Sequence, residues 1–269
     1  MKTWNTAKIK AMKGGDKFAC LTAYDYSSAQ LADIAGIPLL LVGDSLGMTV
    51  LGHTSTLPVT MADMLHHTAA VVRGVSNALV VADMPFLSYQ ISIEEGLRNA
   101  GRFIQESGAD AVKIEGGAIR SDLVKALTQN GIPVLGHIGL TPQSVNTLGG
   151  YKVQGKTREA QDQLIADAQA LSEAGAFAIV LECVPPDIGA AITATVPVPV
   201  IGIGAGPSCD GQMLVMHDML GLTERPPKFT KAYAGLADAM RTAFSAYASE
   251  VAAGTFPAPE HCYAPTAQS

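Results

Sequence analysis

Eight short runs rich in aliphatic and β-branched residues alternate along the chain with segments that carry helical signals. They lie at about 18–24, 38–44, 78–84, 110–115, 133–138, 178–183, 198–203 and 212–217. Most are apolar at every position instead of every second one, the pattern of parallel strands covered on both faces. Regular β–α alternation without a break in composition predicts one α/β domain, a (β/α)8 TIM barrel spanning residues 1–269. A hydrophobic content of 48% against 16% charged residues supplies the core and argues against disorder.

The helical segments carry their own boundary signals. Ser92 with Glu95 reads as a capping box, and Gly108 closes that helix. Thr157 opens a longer helix with apolar positions at Leu164, Ala168 and Leu171, closed by Gly175; residues 27–35 form a shorter one ending at Gly36. Two connections are longer than economy requires, 46–59 after the second strand and 139–156 after the fifth, and are candidate lids over a barrel mouth. A last helix over about 231–252 repeats Tyr233, Leu236, Met240, Phe244 and Tyr247, a stripe that packs on the barrel or on a neighbouring subunit. The tail from Pro257 reads as extended.

Six of the eight runs finish on an acid, a base or a histidine, and such groups are costly at the end of a buried strand unless paired or bound to a cation. Asp44 and Asp83 close adjacent runs. Either alone could cap a helix, but two neighbouring carboxylates repel unless a proton or cation lies between them, and oxygen-only ligands favour Mg2+ or Mn2+. The period of two turns Lys113 and Glu115 inward and Ile114 outward. That pair is either an internal salt bridge or a substrate-binding lysine beside a further metal ligand, direct or through water; a Schiff-base lysine ranks second. Glu182 has no evident partner in its own segment, which suits a general base. His137 and His217, also at strand ends, read as supporting residues, and His66 and His67 as surface or interface residues on a helix. The glycines at 202, 204 and 206 are too weak a signal to imply a phosphate.

A net charge of −6 without a basic run excludes nucleic acid and anionic membrane as natural partners. Cys20, Cys183, Cys209 and Cys262 lack zinc-ligand spacing and read as reduced thiols. With neither an apolar leader nor a membrane-spanning run, a cytoplasmic protein is expected. Physical reasoning reaches a metal-assisted, aldol-type carbon–carbon bond formation on a 2-oxo acid.

Longer blocks add a resemblance. Leu41–Met48, Gly52–Thr60, Val112–Gly117, Gly136–Ser144, Gly149–Gly155, Leu181–Pro185 and Gly202–Gly206 resemble those of the ketopantoate hydroxymethyltransferase family, over about residue 15 to 250. The resemblance implies a barrel of the phosphoenolpyruvate/pyruvate type. It also implies Mg2+-dependent transfer of the one-carbon unit of 5,10-methylenetetrahydrofolate to 3-methyl-2-oxobutanoate, in pantothenate synthesis. Carried onto matching positions, Asp44 and Asp83 bind Mg2+ and, with Ser45 and Lys113, the oxo acid; Glu115 belongs to the metal shell, Glu182 is the proton acceptor and His137 supports them. The family is decameric. Leu148 stands where an aromatic residue is expected, and the segment from Leu222 to Lys228 looks trimmed; either bears on the folate pocket or a subunit contact. Rival readings are a superfamily carbon–carbon lyase, whose Lys-Lys-Cys-Gly-type motif is missing here, and a non-catalytic metabolite-binding barrel.

Overall fold

The computed structural model describes residues 2–264. All eight expected strands form: β1 (Phe18–Thr22), β2 (Leu39–Val42), β3 (Leu79–Asp83), β4 (Ala111–Glu115), β5 (Val134–Gly139), β6 (Ala178–Glu182), β7 (Val200–Ile203) and β8 (Gly211–Leu214). Each runs parallel to its neighbours, and β8 pairs with β1 to close the barrel. The chain divides into two compact units, one of residues 1–216 that contains the whole barrel and one beginning at His217.

Alternate strand residues fill the barrel. Phe18, Leu39, Leu79 and Ala111 lie at the strand starts, with Leu41, Val81, Leu135, Val180 and Ile201 above them, and Ile9 from the short helix Thr6–Lys10 joins the same cluster. Ile9 is fully buried, contributing roughly 1.5–3 kcal/mol over an exposed position, and seals the N-terminal end of the barrel. Three acids secure that end by accepting backbone N–H groups. Asp33 takes those of Ser76, Asn77 and Ala78, Asp110 that of Val80, and Asp210 those of Gly14 and Val200. Such acids serve stability, which leaves the opposite, C-terminal end for chemistry.

The connecting helices follow their boundary signals, with some corrections. Thr157 caps Arg158–Glu173 through the N–H of Ala160, and Leu164, Ala168 and Leu171 are its buried face. Tyr26–Ile34 starts on Asp25 and is followed by Gly36 in the left-handed region. Ser92 caps Ile93–Arg102 by accepting from Glu95 N, and the helix runs on through a π turn (Phe103–Ser107) to Gly108, also left-handed. No helix separates β7 from β8; residues 204–210 are too short for one.

The eighth strand stops before His217. Met216 donates its N–H to Thr22 Oγ1 (2.9 Å), leaving the strand ladder, and Met216–Met219 form a turn of helix. His217 therefore lies on that turn and not at a strand end. The last helix is Leu236–Ala253, starting later than expected because Tyr233 N and Leu236 N are bonded to the Met219 and Leu220 carbonyls. Its apolar residues Met240, Phe244 and Tyr247 are exposed. The expected extended tail contains a 3-10 turn at Pro259–His261; its end, 265–269, lies outside the described residues. No helix among the described residues is long and apolar enough to cross a membrane.

Candidate active site at the barrel mouth

The strand ends bring the ionisable residues together. The pairing register sets Asp83 beside Lys113, Glu115 beside His137, and Gly139 beside Glu182. Asp44 sits just past the end of β2, not on it, and its N–H donates to Asp83 Oδ2 (3.2 Å). Lys113 Nζ donates to both oxygens of Asp83, at 2.7 Å each, and lies 3.6 Å from Glu115 Oε1. Asp83, more than Glu115, thus holds the ammonium. Ile114 belongs to the outward face, as its period required, and all five residues are buried.

His137 stands between two carboxylates. Its Nδ1 is 3.4 Å from Glu115 Oε1 and its Nε2 is 3.2 Å from Glu182 Oε2, ion-pair contacts whose angles fall short of hydrogen bonds. Glu182 therefore has a partner, contrary to expectation; the pairing is set by strand register and is invisible within its own segment. The Glu182 side chain is 15% exposed against 2–4% for Asp83, Lys113, Glu115 and His137, so of these it alone reaches the mouth.

The electrostatics follow from burial. Burial, with Asp83 and Glu115 close by, raises the Asp44 pKa well above its ordinary value, against the pull of Lys113 and Gln143. Burial also raises Asp83, with Lys113 opposing. For Glu115 burial is outweighed by Lys113, His137 and the Gln143 N–H, and its pKa falls. Burial and Lys113 press the His137 imidazole down, yet Glu115 and Glu182 hold it up at about 9. Lys113 is raised too: burial works against its charge, and Asp83, Glu115 and Asp44 overcome it. With every carboxylate ionised, the four would exceed the ammonium and the imidazolium by two negative charges, the amount one divalent cation neutralises, and the raised pKa of Asp44 shows how poorly that excess is borne without one. Among the described residues no three His, Cys, Asp or Glu side chains form a ready metal cage. Two carboxylates with positions left for water and substrate oxygens match the habit of Mg2+.

Three further residues complete the site. Tyr24, just past β1, shares a 2.8 Å hydrogen bond with Ser45 Oγ, and its carbonyl lies 2.7 Å from His67 Nδ1. His67 is therefore half-buried against the mouth, whereas His66 is at the surface. Tyr89 accepts from Glu115 N through its hydroxyl and donates to Gln143 Oε1 (2.8 Å). Gln143 donates its N–H to Glu115 Oε2 and its side-chain Nε2 to Asp44 Oδ2. The block Thr141–Ser144 pointed to the loop carrying Gln143, but nothing local marks that side chain or Tyr89. The two long loops meet where Tyr151 donates to Met48 Sδ (3.5 Å). Burial and then the negative charges of Asp44, Glu182 and Glu115 raise the Tyr151 pKa, which puts its ring within their field. Gly206 packs against Pro186, in keeping with a structural role for the glycines after β7.

A model of the ketopantoate hydroxymethyltransferase family matches residues 3–259. The chain is 58% identical over 260 residues to the 3-methyl-2-oxobutanoate hydroxymethyltransferase of Syntrophus aciditrophicus (strain SB), spanning 96% of each. It is 59% identical over 253 residues to that of Dehalococcoides mccartyi (strain CBDB1), covering 93% of this chain and 91% of its relative. Among solved structures it resembles a phosphonopyruvate hydrolase complex with oxalate and Mg++, with a TM-score of 0.62 and 16% identity over 97% of this chain and 93% of that one. The phosphoenolpyruvate phosphomutase of Streptomyces platensis subsp. rosaceus gives 0.62 and 16% over 97% and 92%. At such identity these structures speak for the (β/α)8 fold alone. The family model and the relatives agree over nearly the whole length: the chain belongs to the ketopantoate hydroxymethyltransferase family and is an enzyme.

Proposed function

We propose that the enzyme transfers the one-carbon unit of 5,10-methylenetetrahydrofolate, with water, to C3 of 3-methyl-2-oxobutanoate, giving 2-dehydropantoate and tetrahydrofolate for pantothenate synthesis. The observation that carries this reading is the buried cluster of Asp44, Asp83, Lys113, Glu115 and His137 at the strand ends, with one further carboxylate, Glu182, reaching the mouth. Asp44 and Asp83 would hold Mg2+, and Glu115, already bound to the Gln143 N–H, would reach it through water. When bound, the ion supplies Lewis-acid polarisation of the 2-oxo group and so acidifies the proton at C3. The solved phosphonopyruvate hydrolase complex holds oxalate and Mg++, so this fold admits a small dicarboxylate together with a divalent ion.

Ser45, oriented by Tyr24, and the Lys113 ammonium receive the substrate carboxylate. Glu182 takes the C3 proton, and His137, 3.2 Å from its Oε2, keeps that carboxylate aimed at the mouth. The enolate carbon then forms the new bond to the one-carbon unit, whose two bonds to folate nitrogens break; water supplies the hydroxyl, and its second proton with the one taken from C3 ends on those nitrogens. A Schiff base at Lys113 is disfavoured, because a lysine held by both oxygens of Asp83 stays protonated and is no nucleophile. The enzyme works in the cytoplasm on small molecules, and the exposed apolar residues of Leu236–Ala253 suit burial in a homo-oligomer, a decamer in this reading.

Proton NMR of 3-methyl-2-oxobutanoate in D2O with Mg2+ and the folate tests the proposal against an EDTA control. Loss of the C3 methine with growth of a hydroxymethyl signal, both abolished by EDTA, is expected. Methine washout without that signal would remove the folate from the scheme, and no washout would remove the enolisation.

Gly139 offers a second test. It has φ +91°, and a Cβ there would come within 2.2 Å of the Glu182 carbonyl oxygen. Gly139→Ala must displace the end of β6, so stability should fall by about 1–3 kcal/mol for the backbone strain. Misplacing the base should lower kcat by roughly 100-fold. Wild-type kcat in a folded Gly139→Ala protein would show that the position of Glu182 does not limit the reaction.

A further inference from the structure

We propose that Gln143 is a positioning residue for Asp44, fixing the rotation of that carboxylate for the divalent cation; this rests on the reading of Asp44 as a cation ligand. Gln143 is buried, and every hydrogen-bonding site of its side-chain amide is used. Nε2 donates to Asp44 Oδ2 (2.9 Å) and to the Met84 carbonyl (2.9 Å). Oε1 accepts from Tyr89 Oη (2.8 Å) and from Gln90 Nε2 (3.1 Å). The amide can sit only one way round, since exchanging its nitrogen and oxygen would set an acceptor against both a carboxylate and a carbonyl.

The consequence lies at Asp44. Its Oδ2 is committed to a neutral donor that cannot leave, so the direction in which Oδ1 is presented is set by protein and not by the ion. A neutral amide does this without adding a charge to the cluster, whereas lysine or arginine at the same place would add a positive charge that competes with a cation for Asp44. The same residue fixes a second acid through its backbone, because Gln143 N donates to Glu115 Oε2 (3.0 Å). Pro142 starts the 3-10 turn Pro142–Ser144 that carries both donors, so one turn after β5 orients an acid just past β2 and another at the end of β4. Tyr89 stands behind it, its hydroxyl bonded both to Glu115 N (3.0 Å) and to Gln143 Oε1, so the amide cannot swing away from Asp44 without breaking two partners.

The experiment is Mn2+ titration of the substrate-free protein followed by electron paramagnetic resonance, beside thermal unfolding, for the wild type, Gln143→Met and Tyr89→Phe. Gln143→Met keeps length and volume but loses both amide functions, while the backbone donor to Glu115 remains. Gln143→Met should weaken Mn2+ binding by roughly 10–100-fold, the effect usual for an outer-shell partner. Tyr89→Phe, which removes only the bond behind the amide, should weaken it by less and in the same direction. A folded Gln143→Met protein that binds Mn2+ as tightly as the wild type overturns the proposal and leaves the metal site standing. If Gln143→Met does not fold, unchanged Mn2+ binding by Tyr89→Phe overturns it instead. Failure of the wild type itself to bind Mn2+ would overturn the cation reading of the preceding section, and this proposal with it.

Discussion

Glu182→Gln should lower kcat by roughly 10²–10⁴ while leaving the affinity for the oxo acid nearly unchanged, since a positioned general base contributes about that much. The amide preserves shape and can still face His137, so the loss reports the missing proton acceptor and not a collapsed mouth. Glu182 is the carboxylate of the cluster with solvent access and is not bonded to Lys113, so neutralising it leaves the Asp83–Lys113 pair intact. The measurement is exchange of the C3 proton in D2O, alongside isothermal titration with 3-methyl-2-oxobutanoate in the presence of Mg2+. Wild-type exchange in Glu182→Gln would assign the base elsewhere. Equal loss of exchange and binding would make Glu182 a binding group.

Lys113→Met should be the most damaging single change for the fold. Removing one partner of a buried ion pair leaves the other charge uncompensated, typically at a cost of about 3–5 kcal/mol. For a protein of this size that corresponds to a Tm lowered by roughly 6–20 °C. The abandoned partner is Asp83, which accepts from Lys113 through both oxygens. The effect should depend on pH in a definite direction. Without Lys113 the folded-state pKa of Asp83 rises further above its unfolded value, so its destabilisation is full at pH values above that folded pKa. It is relieved as pH falls through it and Asp83 takes up a proton. The wild-type lysine, with its pKa raised, stays charged throughout the acid and neutral range. The gap in Tm between Lys113→Met and the wild type should accordingly narrow from pH 8 to pH 5. A gap that is constant or widens would show that Asp83 is not the charge left stranded.

The barrel was legible because parallel strands buried on both faces are apolar throughout, and few other structures produce eight such runs. Asp44, Asp83, Lys113, Glu115 and Glu182 were legible for the converse reason: an ionisable group at the end of such a run needs a purpose. What the sequence hid depends on register between strands. Glu182 looked unpaired because its partner, His137, belongs to the neighbouring strand, and Lys113 looked tied to Glu115 because the two are close in sequence, although Asp83 across the ladder is nearer. Gln143 and Tyr89 were hidden more deeply, since an uncharged polar side chain in a loop carries no local mark of the bonds it will make. Sequence alone extends β8 too far because Val215 and Met216 are as apolar as a strand, and only the bond to Thr22 Oγ1 diverts the chain there.

The order of charges around the mouth is written in the stagger of adjacent strands and not in the peptide that links them. Extra residues in the turns at the sealed end, near Ile9, could accumulate without disturbing it. A slip of one residue within β4 would instead bring Ile114 to the inside and turn Lys113 and Glu115 toward the helices. Divergence within such a lineage therefore meets two different constraints: added length where the strands begin costs stability, through the turns held by Asp33, Asp110 and Asp210, whereas a slip within the strands costs the site. New specificities then have to come from the loops at Met48 and Tyr151, which frame the opening without setting its charge.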